Sequence, residues 1–185
     1  WDYVINYAHS ICPFPNLNVL RPNIEFFLAN GVKGIYEESC YYTKGSELQE
    51  LRNYIIAKTL WDQQYDTNKA IDEFCAAYYG PAAPSVRAYL DLIDRSVQAQ
   101  SKVHVQIYTH PRQYVLPEVV VQANTLFDQA EAAVANDPLR LHRVQVARLP
   151  VLYAQIVLAT SGAYSEQDGK LVPRKGEDVG QAVAR

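Results

Sequence analysis

Methionine is absent from the 185 residues, and cysteine is scarce. Cys12, Cys40 and Cys75 stand far apart with no C-x-x-C spacing, which excludes a zinc ribbon and a thioredoxin-like redox motif. They read as small buried hydrophobes, with a single Cys12 to Cys40 disulfide as the sharper alternative. Long apolar runs are missing too: none reaches the roughly 18 to 20 residues of a membrane span. The chain does not open on a charged segment followed by an apolar one, so any targeting signal is expected to lie outside it. Nor is there a basic surplus. With 17 Lys and Arg against 20 Asp and Glu, the net charge is -3 and no basic face is visible, which leaves nucleic acid without an electrostatic partner. H-x-x-x-H, G-x-S-x-G, P-loop and G-x-G-x-x-G patterns are all lacking, which removes the zincin, serine hydrolase and nucleotide-binding readings. No cofactor and no metal is expected.

What is present is an ordinary globular composition. Hydrophobic residues make up 49% and charged residues 20%, enough for one domain or slightly more and too apolar for disorder. The chain opens directly on Trp1-Asp2-Tyr3-Val4-Ile5, and its last stretch, 177–185, reads as the acidic first turns of a helix. Both ends suggest a piece of a longer protein.

Along the chain, residues 1–8 are rich in aromatic and β-branched types and run into Cys12-Pro13-Phe14-Pro15-Asn16, where two prolines forbid a regular ladder. A strand end and a loop are expected there. Leu20, Ile24 and Phe27 or Leu28 recur at helical spacing until Asn30-Gly31 stops the helix. A short β-type run follows at 32–37, so strand, helix and strand form half of a βαβ alternation. Ser46-Glu47-Leu48-Gln49 has the spacing of a capping box ahead of a helix running to Trp61. Asp66 or Thr67 caps the next helix, and Gly80-Pro81 ends it. Val86, Leu90, Ile93 and Val97 mark a further helix packed along a narrow seam. Residues 101–116 break the helical pattern and read as an extended connector or a short strand. Pro117 opens a helix, and Asp137-Pro138 caps and starts another, whose apolar face is read as Leu139, Val146, Leu149, Tyr153 and Ile156, kinked at Pro150. His142 falls on that face and reads as a half-buried histidine paired with a backbone or tyrosine oxygen. Residues 165–176 are polar and Gly/Lys-rich, hence a mobile loop or a small hairpin around Asp168-Gly169.

The expected architecture is therefore mainly α with a short α/β start. Residues 1–62 read as the end of a larger α/β layer or barrel, residues 63–164 as a helical domain, and residues 165–185 as a loop and the start of a truncated helix. In such folds ligands bind at the carboxyl ends of the strands. That rule singles out Trp1, Asp2, Tyr3, Asn6, Tyr7 and His9 after the first strand, and residues 37–42 after the second. A carboxylate beside several aromatic rings suits a carbohydrate, because the ring face covers the C–H surface of a sugar and the acid accepts from its hydroxyls. The same residues also fit plain rim packing and a solvated strand end. Neighbouring strand residues point to opposite faces, so Glu37 and Glu38 are not expected to form an acid pair, and Glu37 is placed toward the site.

Five short segments in order carry a resemblance: Trp1-Asp2-Tyr3; Pro13-Phe14-Pro15-Asn16-Leu17; Asn30-Gly31-Val32-Lys33-Gly34-Ile35-Tyr36-Glu37; the run from Leu51-Arg52-Asn53-Tyr54 to Trp61; and Tyr78-Tyr79-Gly80-Pro81-Ala82-Ala83-Pro84. Over about residues 1–98 the chain resembles a bacterial domain-of-unknown-function family grouped with the TIM-barrel glycoside hydrolases, loosely similar to α-glucuronidases and β-hexosaminidases. The resemblance implies that residues 1–5 and 32–37 are the seventh and eighth barrel strands and that a C-terminal helical domain follows. It implies a secreted or periplasmic glycoside hydrolase whose acid and nucleophile lie upstream, with the missing barrel strands as structural partner. Trp1, Tyr3 and Glu37 would touch sugar, and Glu38 beside Glu37 leaves open which acid faces the pocket. A free-standing helical interaction module and a non-catalytic carbohydrate-binding protein are the alternatives.

Overall fold

The residues nearest the site fold for reasons that are partly local and partly not. In the computed structural model, which describes residues 1–42, 45–160, 162, 164–167 and 170–173, strand β1 (Asp2–Tyr3) leads through the Pro-rich segment into helix α1 (Leu17–Ala29) and then strand β2 (Glu37–Glu38). β1 and β2 pair in parallel, Asp2 opposite Glu37 and Tyr3 opposite Glu38, with Asp2 N–H donating to Tyr36 O and Val4 N–H to Glu38 O. The expected strand, helix, strand alternation is therefore formed, but the second strand is shorter and later than the expected 32–37, because β1 pairs only with Glu37 and Glu38 and bonds no further back than Tyr36 O. Asn16, a residue type suited to capping, makes no cap bond to α1; its Nδ2 donates instead to Val4 O and its Oδ1 accepts from Arg52 Nε. It ties the end of β1 to the next helix.

That helix, α2 (Gln49–Trp61), begins three residues after the expected start. Only half of the capping box is made: the Gln49 side chain accepts from Ser46 N–H at 3.1 Å. Leu48 adopts φ 45°, a left-handed conformation costly for a branched residue, while its side chain is buried in the core. With Leu48 left-handed, the helix starts less than a turn later than a Ser46 cap would set it.

Helices α3 (Thr67–Tyr79), α4 (Ala83–Gln98), α5 (Pro117–Ala133) and α6 (Pro138–Ala159) follow, each packed on its neighbour in sequence. Their ends obey local rules: Asp66 accepts from Lys69 N–H, Asp137 accepts from Arg140 N–H, Pro117 and Pro138 take first-turn positions, and Gly80 closes α3 at φ 56°. One continuous buried cluster runs from Val4 and Ile5 through α2 to α6, with the Tyr89 and Phe127 rings 4.9 Å apart at its centre. Residues 101–116 hold a single 3₁₀ turn, Pro111–Gln113, and no strand.

Two expectations for α6 are corrected. The buried face is Val144, Ala147, Pro150, Val151, Ala154 and Leu158, whereas Leu139, Val146, Leu149 and Ile156 are exposed and Tyr153 is half-buried. His142 is exposed with them rather than half-buried. The small residues on this face, like Ala123 and Ala130 on the buried face of α5, let two helices approach closely where a leucine ridge would hold them apart. Beyond α6, strands β3 (Tyr164–Gln167) and β4 (Lys170–Pro173) pair antiparallel, the small hairpin of the two alternatives expected there. Asp168 and Gly169, around which the hairpin was expected, and the expected helix at 177–185 lie outside the described residues. No disulfide joins Cys12 and Cys40. Among the described residues, no helix is long and apolar enough to cross a membrane.

Candidate functional site

The carboxyl ends of β1 and β2 gather one side chain type above all. Trp1 lies 4.8 Å from Tyr36 and 6.4 Å from Tyr3 between ring centroids, and Tyr3 meets Tyr7 edge-on at 5.1 Å. Tyr7 then reaches Tyr41 at 6.3 Å and Tyr108 at 6.4 Å. These rings are not core: Trp1 is 75% exposed, Tyr41 76% and Tyr108 69%. Exposed aromatic rings that touch one another, outside the hydrophobic core, form a platform open to solvent.

One carboxylate sits within it. Trp1 Nε1 donates to Glu38 Oε2 at 2.6 Å, and burial together with the neighbouring Glu38 pushes the Tyr7 phenol well above its ordinary value. A carboxylate offers about four acceptor positions, so one indole bond leaves it able to take further hydroxyl donors.

Of the residues expected at the site, Trp1, Tyr3 and Glu38 come together, and Glu37 does not join them. The parallel register pairs Glu37 with Asp2, and the alternation of a strand turns this pair away from the face that holds Trp1, Tyr3, Tyr36 and Glu38. Both Glu37 carboxyl oxygens are buried without a hydrogen-bond partner among the described residues. Burial, and second the Asp2 carboxylate, push Glu37 up to about 7. Its proton is bound more tightly in the folded chain than in the unfolded one, so stability falls as pH rises from the ordinary carboxylate value of about 4.3 through 7. Glu37→Gln should flatten that slope: its urea midpoint should exceed that of the parent at pH 8 and match it near pH 4. Equal midpoints at pH 8 would show that the carboxyl carries no penalty.

The platform is held by loop bonds. Asn6, 1% exposed, accepts from Ala8 N–H and His9 N–H through Oδ1 and donates from Nδ2 to Thr109 O at 2.7 Å, while Tyr7 N–H donates to Ile107 O at 2.7 Å. Tyr42 OH adds a bond to Tyr7 O. The loop after β1 thereby lies against the connector between α4 and α5, about a hundred residues away. Tyr108 and His110 reach the site by this route, Tyr153 reaches it from α6 through its OH beside His9 Nδ1, and sequence reasoning passed over them as site residues. The usable signal was that Tyr108-Thr109-His110-Pro111 interrupts a helical pattern with residues able to do chemistry, on a loop held by rigid helices.

A separate recess of about 430 Å³ is lined by Ser10, Ile11, Ser46, Val146, Leu149 and Pro150. Its walls carry too few polar groups to orient a polyhydroxylated ligand. No group of three or more His, Cys, Asp or Glu side chains among the described residues is placed to hold a metal.

Residues 1–91 match the model of a family described as a domain of unknown function (DUF4838). The match begins at Trp1, spans the strand pair and its aromatic residues up to Tyr79, and stops within α4. No curated protein and no solved structure shows significant similarity to the chain.

Proposed function

We propose that the chain is the C-terminal portion of a glycoside hydrolase acting on an oligosaccharide or polysaccharide outside the cytoplasm, where it supplies part of the sugar-binding rim and a buttressing helical domain. The observation that carries this reading is the platform of exposed Trp1, Tyr3, Tyr36 and Tyr108 and half-buried Tyr7 around the Glu38 carboxylate, at the carboxyl ends of two parallel strands joined by a helix. Ring faces cover the apolar faces of pyranose rings while Glu38 accepts from their hydroxyls. Two strands of two residues are too little for an independent sheet, and Phe26, Leu28 and Trp61 are exposed at the ends of α1 and α2. Further barrel strands pairing with β1 and β2 would cover such edges and surface. On this reading the acid and nucleophile reside on those strands, and residues 1–185 bind sugar without cleaving it.

The test uses the two tryptophans. In a Trp61→Phe background the remaining indole is Trp1, and neutral cello-, xylo- and chito-oligosaccharides should change its emission saturably. Tyr7→Ala and Tyr108→Ala should each weaken that binding about tenfold, the equivalent of losing one aromatic contact of about 1.4 kcal/mol. Far-UV circular dichroism checks that the variants are folded. Absence of any saturable change across the panel overturns the reading. The outward apolar face of α6, with Leu139, Val146, Leu149 and Ile156 exposed, then favours the helical interaction module.

A further inference from the structure

Two loops run side by side at the site, and they carry two rungs. The first is Tyr7 with Tyr108; the second, two residues further along each loop, is His9 with His110, whose rings meet edge-on at 4.8 Å. The aromatic platform thus passes directly into a pair of half-buried imidazoles. Tyr153 of α6 joins them, its OH 2.9 Å from His9 Nδ1. His110 Nδ1 accepts from Arg112 N–H at 3.3 Å, which assigns its ring proton to Nε2 and makes that nitrogen a donor.

Arg112 completes the group. Its Nε is buried without a hydrogen-bond partner, and among the described residues it makes no ion pair. Burial first, and the Arg112 charge besides, hold both imidazoles below their ordinary value; for His110 the neighbouring His9 adds to this. Tyr42 and Cys12 are the further titratable groups beside Tyr153, and no carboxylate is among the groups acting on either histidine. Two imidazoles and a phenol therefore meet, with the Arg112 charge acting on both imidazoles and no carboxylate among the groups that do. Such a set is complementary to an anion, and a planar guanidinium is the side chain best suited to a carboxylate or a sulfate.

We propose that His9, His110, Arg112 and Tyr153 form an anion subsite that receives a carboxylate or sulfate substituent of the ligand lying on the Tyr7 and Tyr108 rings. The subsite stands on its own geometry; the identification of its anion as a sugar substituent rests on the carbohydrate reading above.

The two parts are tested separately on the full chain. Inorganic sulfate is titrated near pH 6 with the histidine ring protons followed by nuclear magnetic resonance, against chloride at matched ionic strength. An anion bound at the cluster favours imidazolium, so His9 and His110 should shift saturably toward the protonated position, while the exposed His104 and His142 serve as internal references. Arg112→Gln should abolish the saturable shift without changing the dispersion of the amide spectrum. Shifts equal to those in chloride, or equal at all four histidines, overturn the subsite. For the second part, glucuronate should bind about tenfold more tightly than glucose, an advantage absent in Arg112→Gln. Equal affinities in the parent chain overturn the assignment to a sugar substituent and leave a site for a free anion. Binding of neutral oligosaccharides without any sulfate response upholds the carbohydrate platform and defeats only the subsite.

Discussion

Glu47→Ala should lower the unfolding free energy by about 3–5 kcal/mol, the usual consequence of leaving a buried charge without its partner. Arg52 is 0% exposed, and it donates to the Glu47 carboxylate at 2.5 Å, to the Glu47 and Phe14 carbonyls, and to Asn16 Oδ1 at 3.2 Å. One guanidinium therefore joins the Pro-rich loop after β1, the start of α2 and the cap region of α1. These are the segments that hold β1 against β2. Removing Glu47 strands the guanidinium in a site with no solvent, whereas surface pairs such as Arg21 with Glu25 are worth less than about 1 kcal/mol. The size follows from burial, not from the number of bonds. Equilibrium urea unfolding measures it, and Arg21→Ala serves as the exposed comparison. A loss below about 1 kcal/mol in Glu47→Ala would mean that water reaches Arg52. Glu47→Gln should fall between the two, since the amide oxygen still accepts but the opposite charge is gone.

Val144→Asp should be as damaging or more so, and Ile156→Asp nearly silent. Val144 is 0% exposed on the face of α6 that packs on α5, so an aspartate there loses a packed side chain and buries a charge with no partner, at a cost of about 4 kcal/mol or more. Against a total stability of about 5–15 kcal/mol for a domain, that is enough to unfold much of the population. Ile156 is 62% exposed, and a polar residue there should change stability by no more than about 1 kcal/mol. Thermal unfolding of the two variants side by side decides which face of α6 is the core. A large loss in Ile156→Asp together with a small one in Val144→Asp would reverse the helix.

The site divides along the same line between local and distant causes. That Trp1, Tyr3 and the glutamate pair lie together at the strand ends was legible, because it needs only the position of the strands. Which of the two adjacent glutamates shares the aromatic face was not, since alternation sets their difference but not their absolute direction; the pairing of β1 with β2 does that, and it turns Glu37 toward Asp2. Tyr108, His110, Arg112 and Tyr153 stand more than a hundred residues from Trp1 in sequence, and no local pattern connects them. Arg52 was equally silent. A charged residue within a helical run reads as surface until the fold encloses it.

What the sequence determined by itself were the helix ends and the order of elements: Asp66 and Asp137 as caps, Pro117 and Pro138 in first turns, Gly80 at a stop, and the strand, helix, strand opening. Each depends on backbone geometry and hydrogen bonds within a few residues, which the residue types specify directly. The tertiary structure decided the rest: the late start of α2, the buried Arg52 and Glu47, the meeting of the loop after β1 with the connector before α5, and the inward face of α6. On α6 both faces are apolar, so helical periodicity could not choose between them. Close packing chose the face with Ala147 and Ala154, because small side chains let α5 and α6 approach and exclude water, and Leu139, Leu149 and Leu152 were left outside.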